Sequence, residues 1–182
     1  MVTILMLAMA ITAQNSTVGH VRTTEPRILA LIETGLSRSA TFRRLVETLN
    51  ESDVIVYVEQ KLGRDEFGGY LDHNITNTGA FRYVRLKIET KGQDIRLISV
   101  LAHELQHAVE VAASPDARDA VSMARAFGRL GTTSQCGNAD CFETRAAIHV
   151  EDIVGAELKA ARSPARAASV PPDASAISRL LQ

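Results

Sequence analysis

Two histidines and a glutamate stand close together past the middle of the chain, in His103-Glu104-Leu105-Gln106-His107. Histidines four residues apart lie on one face of an α-helix, about one turn from each other. Two imidazoles at that spacing can bind one Zn²⁺ ion, and a glutamate directly after the first histidine is placed to act as base on a metal-bound water. The spacing therefore predicts a zinc centre with His103 and His107 as ligands and Glu104 as the catalytic base.

The surrounding sequence predicts the helix that this spacing requires. Apolar residues recur at intervals of three and four and form one stripe, with no Gly or Pro before Pro115. These residues are Leu97, Leu101, Leu105, Val109 and Ala112. Asp94 and Ser99 are alternative helix starts, because either side chain can accept a hydrogen bond from a free backbone N–H group. The end is expected near Ser114, just before the proline.

The His-Glu-x-x-His stretch resembles the zincin metallopeptidases, in which the two histidines bind zinc and the glutamate is the general base and acid. The metzincin branch has a glycine and a third histidine soon afterwards, whereas Glu110 and Ala113 occupy those positions here. The remaining resemblance is to the gluzincins, in which a later helix carries a glutamate as third ligand. It implies an α+β fold: a small zincin-like domain with N-terminal helices, a short mostly antiparallel or mixed sheet, the metal-binding helix and that later helix.

By this resemblance Glu143, in Phe-Glu-Thr-Arg-Ala-Ala, is the third zinc ligand. A catalytic zinc usually has three protein ligands and one open position. Alternatively, Glu143 only complements the dipole of the following helix. The competing ligands are then Glu110, His149, Asp152 and Glu157. Glu110 follows His107 by three residues, which favours a contact with that histidine over metal binding. His149 is an open candidate for stabilising an oxyanion, as a His or Tyr does in gluzincins.

The segment Phe81–Thr90 alternates apolar and polar residues, which predicts a strand with one buried face. In zincins an edge strand just before the metal helix pairs with extended substrate, so the resemblance makes this segment the candidate for peptide binding. An ordinary half-exposed strand is the alternative. The implied function is zinc-dependent hydrolysis of peptide bonds in a peptide or protein substrate. A catalytically inactive zinc-binding relative, acting as an exported binding or regulatory module, is the alternative function.

The other elements follow from apolar periodicity and from the turn residues between them. A helix is expected at Pro26–Thr34, ending at Gly35, and a second begins with Ser39 as its cap; one kinked helix over both segments is the alternative. The remaining expected elements are a helix at Ser39–Asn50, strands at Asp53–Gln60 and Tyr70–Ile75, and helices at Asp116–Leu130 and Phe142–Lys159. The predicted metallopeptidase domain spans residues 26–160.

The ends of the chain differ in composition from this domain. Met1–Ala13 is nearly all apolar, too short to span a bilayer, and similar to a secretory signal, although it lacks the usual first Lys or Arg. Residues 14–25 are expected to be a polar linker, and residues 161–182 a flexible tail rich in Ala and Pro. Export to the periplasm or the outside predicts a disulfide between Cys136 and Cys141; in the cytosol they would be free thiols.

The length and composition of the chain limit its number of domains and the partners that it can bind. The chain of 182 residues suits one domain with a real core. Its formal net charge of −1 at pH 7 argues against nucleic acid as a partner, since phosphate binding needs clustered basic charge. No segment predicts a stable membrane span. Because there is no Trp, the core must be built mainly from Leu, Ile, Val and Ala.

Overall fold

The computed structural model describes residues 17–62, 68–136 and 139–162, with side chains for residues 19–62, 68–131 and 142–162. The helices of this part are α1 (Pro26–Arg38), α2 (Ala40–Asn50), α3 (Asp94–Ala112), α4 (Ala120–Leu130) and α5 (Arg145–Arg162). The strands are β1 (Thr17–Val18), β2 (Val21–Arg22), β3 (Val54–Gln60), β4 (Gly69–Leu71), β5 (Thr76–Thr78), β6 (Phe81–Ile88), β7 (Thr132–Cys136) and β8 (Ala139–Glu143).

The main sheet is mixed and has the order β1-β2-β3-β6-β4, with β5 also paired to β6. The central pair, β3 and β6, is parallel, with Val54 opposite Arg82 and Gln60 opposite Ile88. Strand β2 is parallel to β3, and β1, β4 and β5 are antiparallel to their neighbours. A separate two-stranded sheet is formed by β7 and β8. The prediction of a mixed α+β fold is confirmed.

The strand predicted to bind substrate at the sheet edge lies inside the sheet, so that prediction was wrong. Strand β6 pairs with β3 on one side and with β4 and β5 on the other. The expected Tyr70–Ile75 strand is replaced by β4 and β5, each three residues long, which fold back onto β6. In the described part of the chain, β4 therefore forms the edge of the sheet on this side.

Helix α3 is at the centre of the packing. The inward-facing side chains of β3 and β6 form one apolar core with residues of α1, α2, α3 and α5. Twelve of the 19 residues of α3 are buried, so this helix is held on nearly all sides. His103, Glu104, His107 and Glu110 are among those buried residues. Buried polar groups are unfavourable unless they have polar partners or a ligand.

The buried Arg82 fixes the C-terminal end of α3 to β6. Its side chain is 1% exposed, and its Nε and Nη2 donate to the carboxylate of Asp53 at 2.8 and 2.6 Å. Its Nη1 donates to the backbone carbonyls of Val111, Ser114 and Ala117 at 2.8, 2.8 and 3.0 Å. Val111 lies in the last turn of α3, where carbonyls lack partners within the helix, and Ser114 and Ala117 follow it, so this guanidinium holds the end of α3 and the next segment against β6.

Helix α1 continues through Gly35 to Arg38, so the predicted end at Gly35 was wrong. A Cβ atom at Gly35 would lie 2.8 Å from the ring of Phe42, so glycine allows close packing of α2 against α1. The break follows at Ser39, whose Oγ accepts a hydrogen bond from the backbone N–H of Phe42 and caps α2, as predicted.

Part of the expected linker is folded. Residues 17–22 form the β1-β2 hairpin, and Val21 is fully buried opposite Val56. Residues 1–16 and 163–182 lie outside the described residues, so the secretory signal and nearly all of the tail stay predictions. The described helices include none that is apolar and long enough to cross a membrane. The side chains of Cys136 and Cys141 also lie outside the described ones, so the disulfide stays a prediction.

Candidate metal centre

The structure brings together the three residues predicted to bind metal. His103 and His107 are buried on α3, at 7% and 5% exposure, and their Nε2 atoms lie 3.2 Å apart. Glu143 Oε2 lies 3.5 Å from His103 Nε2. One potential ligand atom from each of the three residues lies within 4.8 Å of the others. These residues are called the metal triad below.

The dimensions of the triad fit one metal ion. Two ligands on a tetrahedral ion with bonds of about 2.0–2.1 Å lie about 3.3–3.4 Å apart. The two measured separations, 3.2 and 3.5 Å, lie on either side of this value. Two imidazoles and one carboxylate form a donor set used by catalytic zinc. The side chain of Glu143 is 35% exposed, so water reaches this side of the triad.

Glu143 is the last residue of β8, so the prediction that a later helix carries the third ligand was wrong. Helix α5 begins two residues later, at Arg145. The hydroxyl of Thr144 accepts a hydrogen bond from the backbone N–H of Ala147 at 3.1 Å and thereby caps the helix. The same hydroxyl donates to Glu110 Oε1 at 2.6 Å. Thr144 therefore ties the start of α5 to α3 beside the triad.

Each histidine of the triad has a carboxylate beside its second ring nitrogen. Glu110 Oε2 lies 2.9 Å from His107 Nδ1 in a hydrogen bond, which is the contact expected from the sequence. Glu151 Oε2 lies 3.0 Å from His103 Nδ1, at an angle outside hydrogen-bond geometry. A carboxylate favours a proton on Nδ1, which leaves the Nε2 lone pair for a metal. This arrangement suits both histidines for metal binding through Nε2.

Glu151 is the functional residue that the sequence analysis missed. A signal for it was available, because Ala147, Val154 and Leu158 are the buried stripe of α5 that faces the core. Glu151 stands four residues after Ala147 and three before Val154, which places it on the same side. Its side chain is 40% exposed, and its carboxylate reaches from this side of the helix to His103.

The other competing ligands lie elsewhere. His149 and Asp152 are exposed on α5. Glu157 accepts hydrogen bonds from the backbone N–H and the hydroxyl of Thr41, at 3.1 and 3.0 Å, at the start of α2. Glu110 contacts His107 and Thr144 and is not part of the triad. Among the third-ligand candidates considered from the sequence, only Glu143 places a carboxylate oxygen close to ring nitrogens of both His103 and His107.

The carboxylates around the triad favour a positive charge within it. Burial lowers the pKa of His103, but the adjacent carboxylates of Glu143 and Glu151 and the charge of Glu104 outweigh this effect and raise the pKa to about 10. The hydrogen bond with His103 lowers the pKa of Glu143 despite its burial. Such a surplus of carboxylates suits a site that holds a cation.

Glu104 lies beneath the edge strand of the sheet. It is 7% exposed, and burial raises its pKa, while the nearby His107 and His103 act in the opposite direction. The backbone N–H of Leu71 on β4 also acts to lower this pKa. A Cβ atom at Gly69 would lie 3.4 Å from Glu104 Cγ and only 3.0 Å from Lys87 O. Glycine therefore permits β4 to pass close over the glutamate.

A second glycine allows the approach of the third ligand. Gly131 ends α4, and a Cβ atom there would lie 2.7 Å from the backbone oxygen of Glu143 and 3.1 Å from Thr144 Cγ2. Gly131 has φ −119° and ψ 176°, which residues other than glycine adopt readily. Glycine is required here because a side chain would fill the space that the backbone of Glu143 occupies. The backbone conformation of Gly131 does not require it.

Aromatic rings line one side of the triad. The ring of Phe127 lies 5.4 Å from that of His107 and 5.8 Å from that of Phe142. The imidazole of His73, just after β4, meets Phe142 edge to face at 6.2 Å. These rings give the triad an apolar wall, which strengthens electrostatic interactions next to it.

Comparisons with protein-family models, with curated proteins and with solved structures found no match to this chain. The candidate site therefore rests on its own residues and on their geometry.

Proposed function

We propose that this protein is a zinc-dependent peptide hydrolase of gluzincin type, with His103, His107 and Glu143 as the zinc ligands. The observation that carries the proposal is the convergence of these three side chains next to the buried Glu104. Zinc bound there would supply a Lewis acid that polarises a peptide carbonyl and makes water acidic enough to attack at neutral pH.

Glu104 performs the proton transfers in this proposal. Its carboxylate takes the proton of the attacking water and then delivers it to the leaving amine. Burial raises its pKa, which brings this group towards the range in which it can both accept and release a proton near neutral pH.

Strand β4 is the element that would bind the substrate. It forms the described edge of the sheet on this side and passes over Glu104. An extended peptide that pairs with β4 would lie with its backbone beside Glu104 and the metal triad. Backbone hydrogen bonds of this kind give affinity for many sequences, so the expected substrates are unfolded or flexible protein segments.

The test is hydrolysis of a library of quenched fluorescent peptides by the zinc-loaded protein and by its Glu104→Gln variant. We expect cleavage by the wild type only, with the same zinc content in both proteins, because Glu104 does not bind the metal. Cleavage by the variant at the wild-type rate would contradict the role of Glu104. A zinc-loaded wild type that cleaves no peptide would favour the non-catalytic zinc-binding module.

A further inference from the structure

The outer face of the sheet, defined here as the face that carries Tyr57, Tyr83 and Arg85, is rich in aromatic residues. The chain has three tyrosines and five phenylalanines. All three tyrosines and Phe81 lie on the outer face, on the side of the sheet away from the core that contains α3. Tyr57, Tyr70 and Phe81 are 38%, 45% and 39% exposed. Aromatic side chains grouped on an exposed surface are typical of binding sites.

A cavity of about 290 Å³ lies on the outer face. Two tyrosine rings, three uncharged polar side chains and one arginine line it. These residues are Tyr57, Tyr83, Asn74, Thr76, Thr78 and Arg85. The volume is at the small end of the range for ligand sites, so the cavity suits one ring of a ligand and leaves the rest outside.

The lining combines two stacked aromatic rings with hydrogen-bonding groups. The rings of Tyr57 and Tyr83 are nearly parallel, with an angle of 21° between their planes and 6.3 Å between their centroids. Thr76 lies opposite Tyr83 in the sheet, and its hydroxyl can donate and accept hydrogen bonds, as can the amide of Asn74. A pyranose ring has the matching chemistry, because its C–H groups form an apolar face and its hydroxyls lie around the rim.

The charges on the outer face are largely paired with each other. Glu59 forms ion pairs with Arg85, at 3.6 Å, and with Lys87. The guanidinium of Arg22 lies 5.9 Å above the ring of Tyr57 and donates to its hydroxyl at 3.4 Å, so it supports that ring. A polyanion requires clustered basic charge without such partners. The charge pattern therefore favours a neutral ligand over nucleic acid.

We propose that the outer face binds a neutral oligosaccharide. Tyr57 and Tyr83 pack against one sugar ring, while Asn74, Thr76 and Thr78 hydrogen bond to its hydroxyls. The cavity lies on the opposite face of the sheet from α3, which carries two of the metal triad, so saccharide binding does not depend on metal or on hydrolysis. The site would hold the protein on a polysaccharide, or on a glycosylated partner, while the metal side stays accessible.

Tyrosine fluorescence tests this proposal directly, because the chain has no Trp and its three tyrosines all lie on the outer face. The full chain is titrated with cellohexaose, mannohexaose and chitohexaose. We expect a saturable change with at least one of them, and the same affinity after zinc is removed with a chelator. Calorimetry then compares Tyr57→Ala, expected to bind roughly fivefold to tenfold more weakly, with Tyr57→Phe, expected to bind like wild type because the ring remains.

The matched control is Tyr70→Ala, which removes a tyrosine from the same face but outside the cavity and should leave the affinity unchanged. Thr76→Val, on a fully exposed strand, removes a hydroxyl of the cavity and gives a second test if Tyr57→Ala fails to fold. Absence of saturable binding to all three oligosaccharides would overturn the proposal. So would equal affinities of the Tyr57→Ala and Tyr70→Ala variants, or Tyr57-dependent binding of a thymidine oligonucleotide in place of any sugar.

Discussion

Replacement of Gly131 by alanine should weaken metal binding without touching a ligand. The new Cβ atom would lie 2.7 Å from the backbone oxygen of Glu143, whereas ordinary contact at such positions begins at 3.4 Å. The backbones of residue 131 and Glu143 must therefore separate by about 0.3–0.7 Å, which exceeds the tolerance of about 0.2 Å in metal–ligand distances. We expect zinc affinity to fall roughly tenfold to a hundredfold, the range seen when the support of a ligand is lost.

The assay is competition for zinc between the protein and a chelator of known affinity, with thermal unfolding of the metal-free protein measured in parallel. Gly128→Ala is the matched control, because Gly128 lies in the same helix and no atom lies within 4 Å of a Cβ atom there. This control should bind zinc like wild type and gain up to about 1 kcal/mol of stability from the helix propensity of alanine. Equal zinc affinities of Gly131→Ala and Gly128→Ala would refute the reasoning.

Three further predictions concern Glu151 beside the triad and the ion pair of Arg82 with Asp53. Glu151→Gln should weaken zinc binding roughly tenfold, because the carboxylate beside His103 Nδ1 is lost; the exposed Asp152→Asn should have no effect in the same competition assay. Arg82→Met should destabilise the protein by about 1–3 kcal/mol in urea unfolding, since it leaves the partly exposed carboxylate of Asp53 without its cation and three backbone carbonyls without this donor. Arg82 holds the pKa of Asp53 below its usual value of 3.8, so this pair stabilises the fold fully above pH 3.8 and progressively less as pH falls through the folded-state pKa. In unfolding curves measured at successive pH values, the Asp53→Asn variant should therefore lose less stability on acidification than the wild type, because the variant has no carboxylate to protonate at this position.

The sequence predicted the elements whose apolar pattern repeats over several turns or strand residues. The metal helix was expected to begin with Asp94 or Ser99 as its cap; it does begin at Asp94, but the capping position is Gln93 and no side chain caps it, so the expected cap was wrong. Strands β3 and β6 were also found as predicted, because their apolar runs and alternation reflect burial against the helices. His103 and His107 could be placed on one face because a helix fixes the direction of side chains four residues apart.

The errors arose where tertiary contacts decide the local structure. Gly35 was expected to end a helix, but packing against Phe42 keeps it within α1. Strands β4 and β5 are too short to show alternation, so their pairing with β6 could not be read from composition. Glu143 was placed on a helix because a favourable helical pattern follows it, while the cap at Thr144 delays the start of α5.

The candidate site was predictable in its ligands and not in the groups that support them. The His-Glu-x-x-His spacing determines two ligands and a base through local geometry alone. The approach of Glu143, the contact of Glu151 with His103 and the passage of β4 over Glu104 all depend on how distant segments pack. Sequence periodicity describes the faces of each element separately and carries no information on these distances.

The most direct test of the account is the zinc content of the purified full chain and of its Glu143→Ala variant, with Asp152→Ala as an exposed acidic control. We predict one zinc ion per chain in the wild type and in the control, and a large loss in Glu143→Ala after dialysis. The absence of zinc from the wild type, even after zinc is added, would contradict the proposed metal centre. Equal zinc content in the wild type and Glu143→Ala would exclude Glu143 as a ligand.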